Sequence, residues 1–481
     1  MLGKLLFDMG QAAERFDRFL TKHRLVFSAL LAALLAGALA LYNVSSGPLH
    51  NLNDIGGWSN RALFIMMSAA VHGALLMGCT ALSRVRFSRT ALRQLILTAG
   101  YFILLIAINQ KTYWYIHVLQ PLVREMDGSF AAGMQADSDL SAPARLLVYL
   151  ITRSPVYDMY MLKLFAIGCY LGTVLLITRA ADRNGLGVRA EALLALCMIL
   201  PQAFMNAACS AMAVEMAAVL LLSMALMLRG SEGKKREMAA AVCFGAACAL
   251  CGACLLAMPV MIGQKTWKRQ SAMIAGTMLV LCAPAVIAGM PIAKAVGGLF
   301  GAVLGAPMYA AGAPGVANLI PRAVVEEMPQ YAAILRHLPE IDTMTHGQLH
   351  YTQAHYEYVM RGFAWAGLAA YAGLLALMRR SEGKTALHRA MALALGALIV
   401  CPGVTSGAWL ALDVLCLYAI LSEPKLRLPS CLVLFATAAG CCYPMTEEVL
   451  LPMVYAFALC LMAMCMLLDV IPMGKEETSN E

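Results

Sequence analysis

The chain has 481 residues, of which 61% are apolar and only 13% charged, with a formal net charge of +8 and a mean hydropathy of +0.72. Soluble domains carry roughly a quarter charged residues, so the composition excludes a soluble globular protein and implies an integral membrane protein. The positive balance is not a nucleic-acid footprint, because the basic residues sit in short loops between apolar runs.

The first 23 residues contain "MLGKLLFDMGQAAERFDRFL". Their apolar positions are spaced rather than continuous, so a cleavable signal is not expected. Leu2, Leu5, Leu6, Met9, Phe16, Phe19 and Leu20 share one helical face. That pattern predicts an amphipathic helix on the cytoplasmic leaflet.

A membrane span needs about 20 apolar residues. Spans are expected near 25–43, 62–83 and 92–109, giving an N-terminal three-span segment over 24–110. A first large extracytoplasmic loop follows at 111–159. A membrane core over 160–291 has spans near 160–178, 190–208, 210–228 and 272–291. A second large extracytoplasmic loop covers 292–361. The remainder, 362–481, has spans near 362–379, 388–402, 405–421, 430–443 and 449–470, then a short cytoplasmic tail.

The apolar block at 238–262 needs separate treatment. If it crossed once, every later basic loop would fall outside, against the positive-inside rule. If it enters and leaves on one side, most of the 36 Lys and Arg become cytoplasmic. Gly252 permits the necessary break. The expected fold is therefore all-α: a polytopic transmembrane helical bundle with about 12 crossings plus a re-entrant hairpin. It sits in the cytoplasmic membrane with both termini cytoplasmic.

The sixteen cysteines lie in apolar runs and read as small buried hydrophobes. "CALCGAC" places Cys248, Cys251 and Cys254 at CxxC-like spacing, without His or acid partners. In the second loop His346 and His350 stand four apart, a conceivable metal pair with Glu357. An interfacial helix with its His and Tyr at headgroup level explains that stretch more simply, so no metal and no cofactor is assigned.

From about residue 112 the chain resembles the bacterial polytopic glycosyltransferases of the GT-C class, which use polyprenyl-phosphate sugars. "WYIHVLQPL" keeps Tyr115, Leu119 and Pro121 of a family Asp-Tyr … Phe-Leu-x-Pro-Trp pattern. "GSFAAGMQADSDLSAPARLLVYL" stands where the family has Gly-Gly-Phe and Asn-Tyr-x-Pro-Pro-Tyr, and "SPVYDMYMLKLFAI" resembles its next span, with Lys163. "LPQAFMNAACSAMAVE" and "GAPGVANLI" resemble two further segments, and "CPGVTSGAWLALDVLCLYAI" a last one, with Asp413 at the matching distance. The scaffold residues persist where the polar ones are replaced. Trp114 stands at the family's loop acid, Ser210 to Val214 replace Trp-Gly-Gln-x-Asp, and Val404 to Ala408 replace Met-His-Glu-Arg-Tyr.

The resemblance implies a GT-C-like bundle with a sugar-lipid cavity at the extracytoplasmic face. Sugar transfer from a lipid phosphate needs a base for the acceptor hydroxyl and cations at the phosphate. An indole cannot accept a proton, so Trp114 cannot serve as that base. The candidate catalytic substitutes are Asp137 and Asp139. Candidate ligand-binding residues are Trp114, Tyr115, Glu125, Asp127, Lys163 and Glu215. Lys163 and Glu215 are expected at similar depth, paired or sharing a polar cavity. "KTYWYIHVLQPLVREMDGSF" is expected to form a short helix on the outer surface, with Trp114 and Tyr115 at headgroup level.

The leading reading is a catalytically degenerate relative that binds a lipid-linked ligand, such as a polyprenyl-phosphate sugar, or a partner membrane protein. An active transferase with relocated acids is the alternative. A transporter of unrelated origin is the third.

Overall fold

The computed structural model describes residues 19, 22–44, 51–83, 87–106, 115–136, 138, 140–209, 212–229, 233–262, 266–300, 303, 353–380, 384–400, 406–442 and 450–470. The N-terminal amphipathic segment, Trp114, Asp137, Asp139, and nearly all of the second large loop with His346 and His350 lie outside them. Among the described residues the regular structure is all helical, with no strand. Six helices are long and apolar enough to cross a membrane, or seven if one bent pair counts as a span.

The chain divides into two compact units, residues 1–111 with 148–231, and residues 112–147 with 232–481. In the first, α1 (Arg24–Val44), α2 (Asn51–Leu82) and α3 (Phe87–Ile106) form the three-helix N-terminal segment. α7 (Asp158–Arg183), α8 (Arg189–Met198) and α9 (Ala213–Arg229) follow in the same unit. α7 runs 26 residues and is buried along most of its length, because α2, α8 and α9 all pack against it. Gly172 meets Leu220 of α9 at 3.2 Å from where a Cβ would stand, so the two helices approach closely there.

The α7–α8 turn depends on Gly185 at φ 73° and Gly187 at φ 58°, a left-handed backbone that a side chain would strain. It presents the Gly187 carbonyl to Arg89, whose Nη2 donates to it at 2.7 Å. After α8 the expected span at 190–208 is broken. Pro201 starts a new short helix over Pro201–Ala203 that passes into a π-helical turn, Phe204–Cys209. The two limbs are bent by 48°.

The second unit begins with a π-helical turn at Tyr115–Leu119, followed by α4 (Gln120–Gly128), α5 (Phe130–Gln135) and the first half of α6 (Ala142–Thr152). Pro121 sits in the first turn of α4, where its missing N–H costs nothing. Ser129 caps α5 by accepting from the Ala132 amide at 2.9 Å.

α10 (Lys234–Leu250) stops at Cys251, where the backbone turns extended, and a 3-10 turn over Gly252–Ala257 leads to a short helix, Met258–Met261. The expected break at Gly252 is therefore present. α11 (Trp267–Ile287) then packs against α10. Near their starts, Arg269 Nη2 lies 2.7 Å from Met238 Sδ. Further along, a Cβ on Gly245 would stand 2.9 Å from Ile274 O. Both pairs advance in the same direction, so α10 and α11 run parallel with their N-termini together. Between the end of α10 and the start of α11 the chain therefore returns the length of α10.

α12 (Ile292–Gly297) precedes the undescribed loop, and α13 (Gln353–Arg380), α14 (Ala386–Val400), α15 (Ser406–Ser422), α16 (Arg427–Cys442) and α17 (Leu450–Leu467) complete the unit. Their shared core includes Trp409, Leu395, Leu412, Cys460 and Ala463. Tyr371 ties α13 to the turn after α10 through a 2.7 Å hydrogen bond to Leu256 O.

Candidate functional site

In the first unit, buried polar side chains lie in the bent helix pair and on the helices packed against it. Lys163 is fully buried on α7, Gln202 and Asn206 are buried in the bend, and Glu215 is 6% exposed. α7 packs against the π-helical turn as well as against α9. The Lys163 ammonium lies within electrostatic reach of the Cys209 thiol in that turn. Asn206 Nδ2 donates to Gln202 Oε1 across one turn, and its carbonyl accepts from the Met212 amide at 3.0 Å.

The sequence dictates the break locally. Pro201 lacks an amide hydrogen and disfavours helix in the residue before it, and a π-helical turn widens the spiral by one residue. Such turns cluster at functional sites. Glu215 occupies the first turn of α9. An ionisable side chain in a membrane segment is expensive and marks a functional position by default. Discontinuous spans place helix ends and backbone groups around bound ligands. Lys163 and Glu215, both singled out by sequence, are thus buried on helices that pack together. Gln202 was missed, its only signal being the Pro-Gln pair at an apolar run's centre.

In the second unit α4 buries Leu122, Val123 and Met126 and turns Glu125 and Asp127 outward, both exposed. The short helix expected over this stretch therefore forms. Tyr115, however, is only 2% exposed. It packs within the protein, where a place among lipid headgroups was expected.

The loop after α5 is built around Arg145, which sequence reasoning also missed. Its Nη1 donates to the carbonyls of Met134 at 2.9 Å and Ala136 at 2.6 Å. Nη2 donates to Ser138 O at 2.7 Å and Nε to Leu140 O at 3.0 Å. A guanidinium offers five N–H donors in a fixed fork, and here it holds the backbone on both sides of positions 137 and 139. Ser141 Oγ donates to Ala249 O, 2.7 Å away at the end of α10, and Gln135 Nε2 to Ala288 O, 3.1 Å away just beyond α11. The loop therefore caps the C-terminal ends of the parallel pair, away from Lys234, Lys235, Arg236 and Lys268.

Among the described residues no three His, Cys, Asp or Glu side chains converge as a metal site. Cys248, Cys251 and Cys254 are free thiols around the break after α10.

No protein-family model, curated protein or solved structure matches the chain.

Proposed function

We propose that this is a GT-C-like integral membrane protein without transferase activity that holds a lipid-linked anionic ligand, of the polyprenyl-phosphate sugar class, from the extracytoplasmic side. The observation that carries the reading is the fully buried Lys163 on α7, packed against a bent span that adds the Gln202 and Asn206 amides. A phosphate needs a cation and neutral donors, and this bend concentrates both kinds of group. Six helices, or seven with the bent pair as one span, are long and apolar enough to cross a membrane; about twelve crossings with cytoplasmic basic ends are part of the proposed reading.

The absence of transfer follows from the resemblance. The position of the family's loop acid holds Trp114, and Val404 to Ala408 contain no His, Glu or Arg. Removing a general base or an oxyanion clamp each costs about 10²-fold or more in rate.

The test is a thermal-shift titration of the purified protein with polyprenyl-phosphate sugars, beside a turnover assay with the same donors. The expected result is ligand-dependent stabilisation that Lys163→Gln removes, with no turnover. Turnover that Asp137→Asn or Asp139→Asn abolishes overturns the non-catalytic reading. Absence of both binding and turnover overturns the ligand class.

A further inference from the structure

We propose that Asp413 is held as a carboxylic acid and that, with Thr437, it forms a proton-binding site inside the C-terminal bundle. The site is independent of the proposed lipid ligand and lies among α15, α16 and α17.

Asp413 is 1% exposed and lies in the middle of α15, one turn after the fully buried Trp409. Its Oδ1 is 2.8 Å from Thr437 Oγ1 on α16. Its Oδ2 has no hydrogen-bond partner, and neither has the Trp409 indole Nε1. Among the described residues no Lys, Arg or His forms an ion pair with it.

Among the described residues, Asp413 lies within electrostatic reach of the thiols of Cys416 on its own helix and Cys460 on α17. α14 packs against α15 and carries His388 and Arg389 in its first turn, and α16 carries Arg427 as its first residue. His388 Nε2 is engaged with Leu467 O at 2.7 Å. Among the described residues, therefore, no group of opposite charge pairs with the carboxyl.

An ionised carboxylate there would be a buried charge served by one neutral donor, which a low-dielectric interior does not support. Counting hydrogens leads to the same place. Thr437 Oγ1 is also 3.0 Å from the Leu434 carbonyl, yet a hydroxyl has one hydrogen to give. If that hydrogen goes to Leu434 O, the Asp413–Thr437 contact needs a hydrogen of its own. A proton on Oδ1 donating to Thr437 Oγ1 supplies it and removes the charge. The pair then makes a directed chain, Asp413 to Thr437 to the Leu434 carbonyl.

The experiment is infrared difference spectroscopy of the full chain in lipid bilayers at neutral pH, comparing wild type with Asp413→Asn, Thr437→Val and Thr437→Ser. The expected result is a protonated-carboxyl stretch that Asp413→Asn removes, with a thermal midpoint unchanged by this neutral isostere. Thr437→Val should shift the band to higher frequency by removing its acceptor, and Thr437→Ser should leave it in place. Loss of intensity only in the carboxylate region on Asp413→Asn overturns the proposal. Should that variant fold poorly, the Thr437→Val spectrum decides: a shifted acid band supports the site, and no shifted acid band overturns it.

Discussion

Arg93 grips Asp182 with both ends of its guanidinium, Nη1 donating to Oδ2 at 2.6 Å and Nη2 to Oδ1 at 2.7 Å. Its Nε also donates to Glu191 Oε1 at 2.9 Å, and Glu191 accepts from Arg89 as well. One side chain thus joins the start of α3, the end of α7 and the start of α8 while being 2% exposed. Bidentate Arg–carboxylate pairs of this kind are strong and geometrically specific.

Removing one partner of a buried ion group leaves the other charges uncompensated, at a cost of about 3–5 kcal/mol. Arg93→Met should lower unfolding stability by that order, and Arg93→Lys, which keeps the charge but loses the fork, by less. Unfolding in mixed detergent micelles measures both. A loss below about 1 kcal/mol for Arg93→Met, the level of an exposed pair, would show that water reaches the cluster.

The carbonyl cradle of Arg145 makes a second prediction. Four backbone oxygens, on Met134, Ala136, Ser138 and Leu140, converge on this 3% exposed side chain. Hydrogen bonds to a charged group contribute about 1.5–3 kcal/mol each, not additively. Arg145→Ala should destabilise the protein by at least ~2 kcal/mol on that scale. It should also speed hydrogen exchange at the Ala136, Ser138 and Leu140 amides, with little change along α7. Unchanged exchange at those amides would remove Arg145 as the organiser of the loop.

Two helix-interior glycines of the second unit make a matched pair. On Gly245 of α10 a Cβ would stand 2.9 Å from both the Ile274 carbonyl and Thr277 Cβ of α11. On Gly276 of α11 nothing lies within 4 Å. Alanine gains about 0.5–1 kcal/mol over glycine in a helix interior, while overpacking against backbone costs about 1–3 kcal/mol. Gly276→Ala should therefore raise the thermal midpoint and Gly245→Ala lower it. Equal shifts in one direction would mean that α10 and α11 are not seated as described.

Much of this architecture is legible in the sequence because each apolar run is a local signal. The runs at 25–43 and 272–291 become α1 and α11 with ends displaced by a few residues. The interruptions are legible where a residue forces them, as at Gly252, and half-legible at Pro201, where the run's hydropathy continues through the bend. What escapes is pairing at long range. Arg93 reads as one more basic loop residue, yet its partners lie 89 and 98 positions away. Arg145 reads as a stray charge ahead of "LLVYL", because the carbonyls it gathers leave no trace in side-chain identity. Asp413 is visible as a lone acid, but that no cation among the described residues pairs with it is apparent only once the neighbouring helices are in place.

The last prediction concerns the path between α10 and α11. Seventeen residues of α10 rise about 26 Å at 1.5 Å each. Because Met238 meets Arg269 and Gly245 meets Ile274, the N-termini of both helices lie at one end of the pair. The turn over Gly252–Ala257 and the helix over Met258–Met261 can cover up to about 12 Å at the 3-10 rise and about 6 Å at the α rise. The remaining residues before Trp267 can span the rest at up to about 3.3 Å each. The basic groups Lys234, Lys235 and Arg236 then share a membrane face with Lys268 and Arg269, as the preference of basic loops for the cytoplasm requires. Single cysteines at positions 235 and 268, in a background stripped of native cysteines, should react with an impermeant maleimide only after the membrane is opened. A cysteine replacing Ser138, beside the caps on the far ends of α10 and α11, should react in intact cells. Labelling of positions 235 and 268 from opposite sides would turn the returning segment into a full crossing and invert every helix after it.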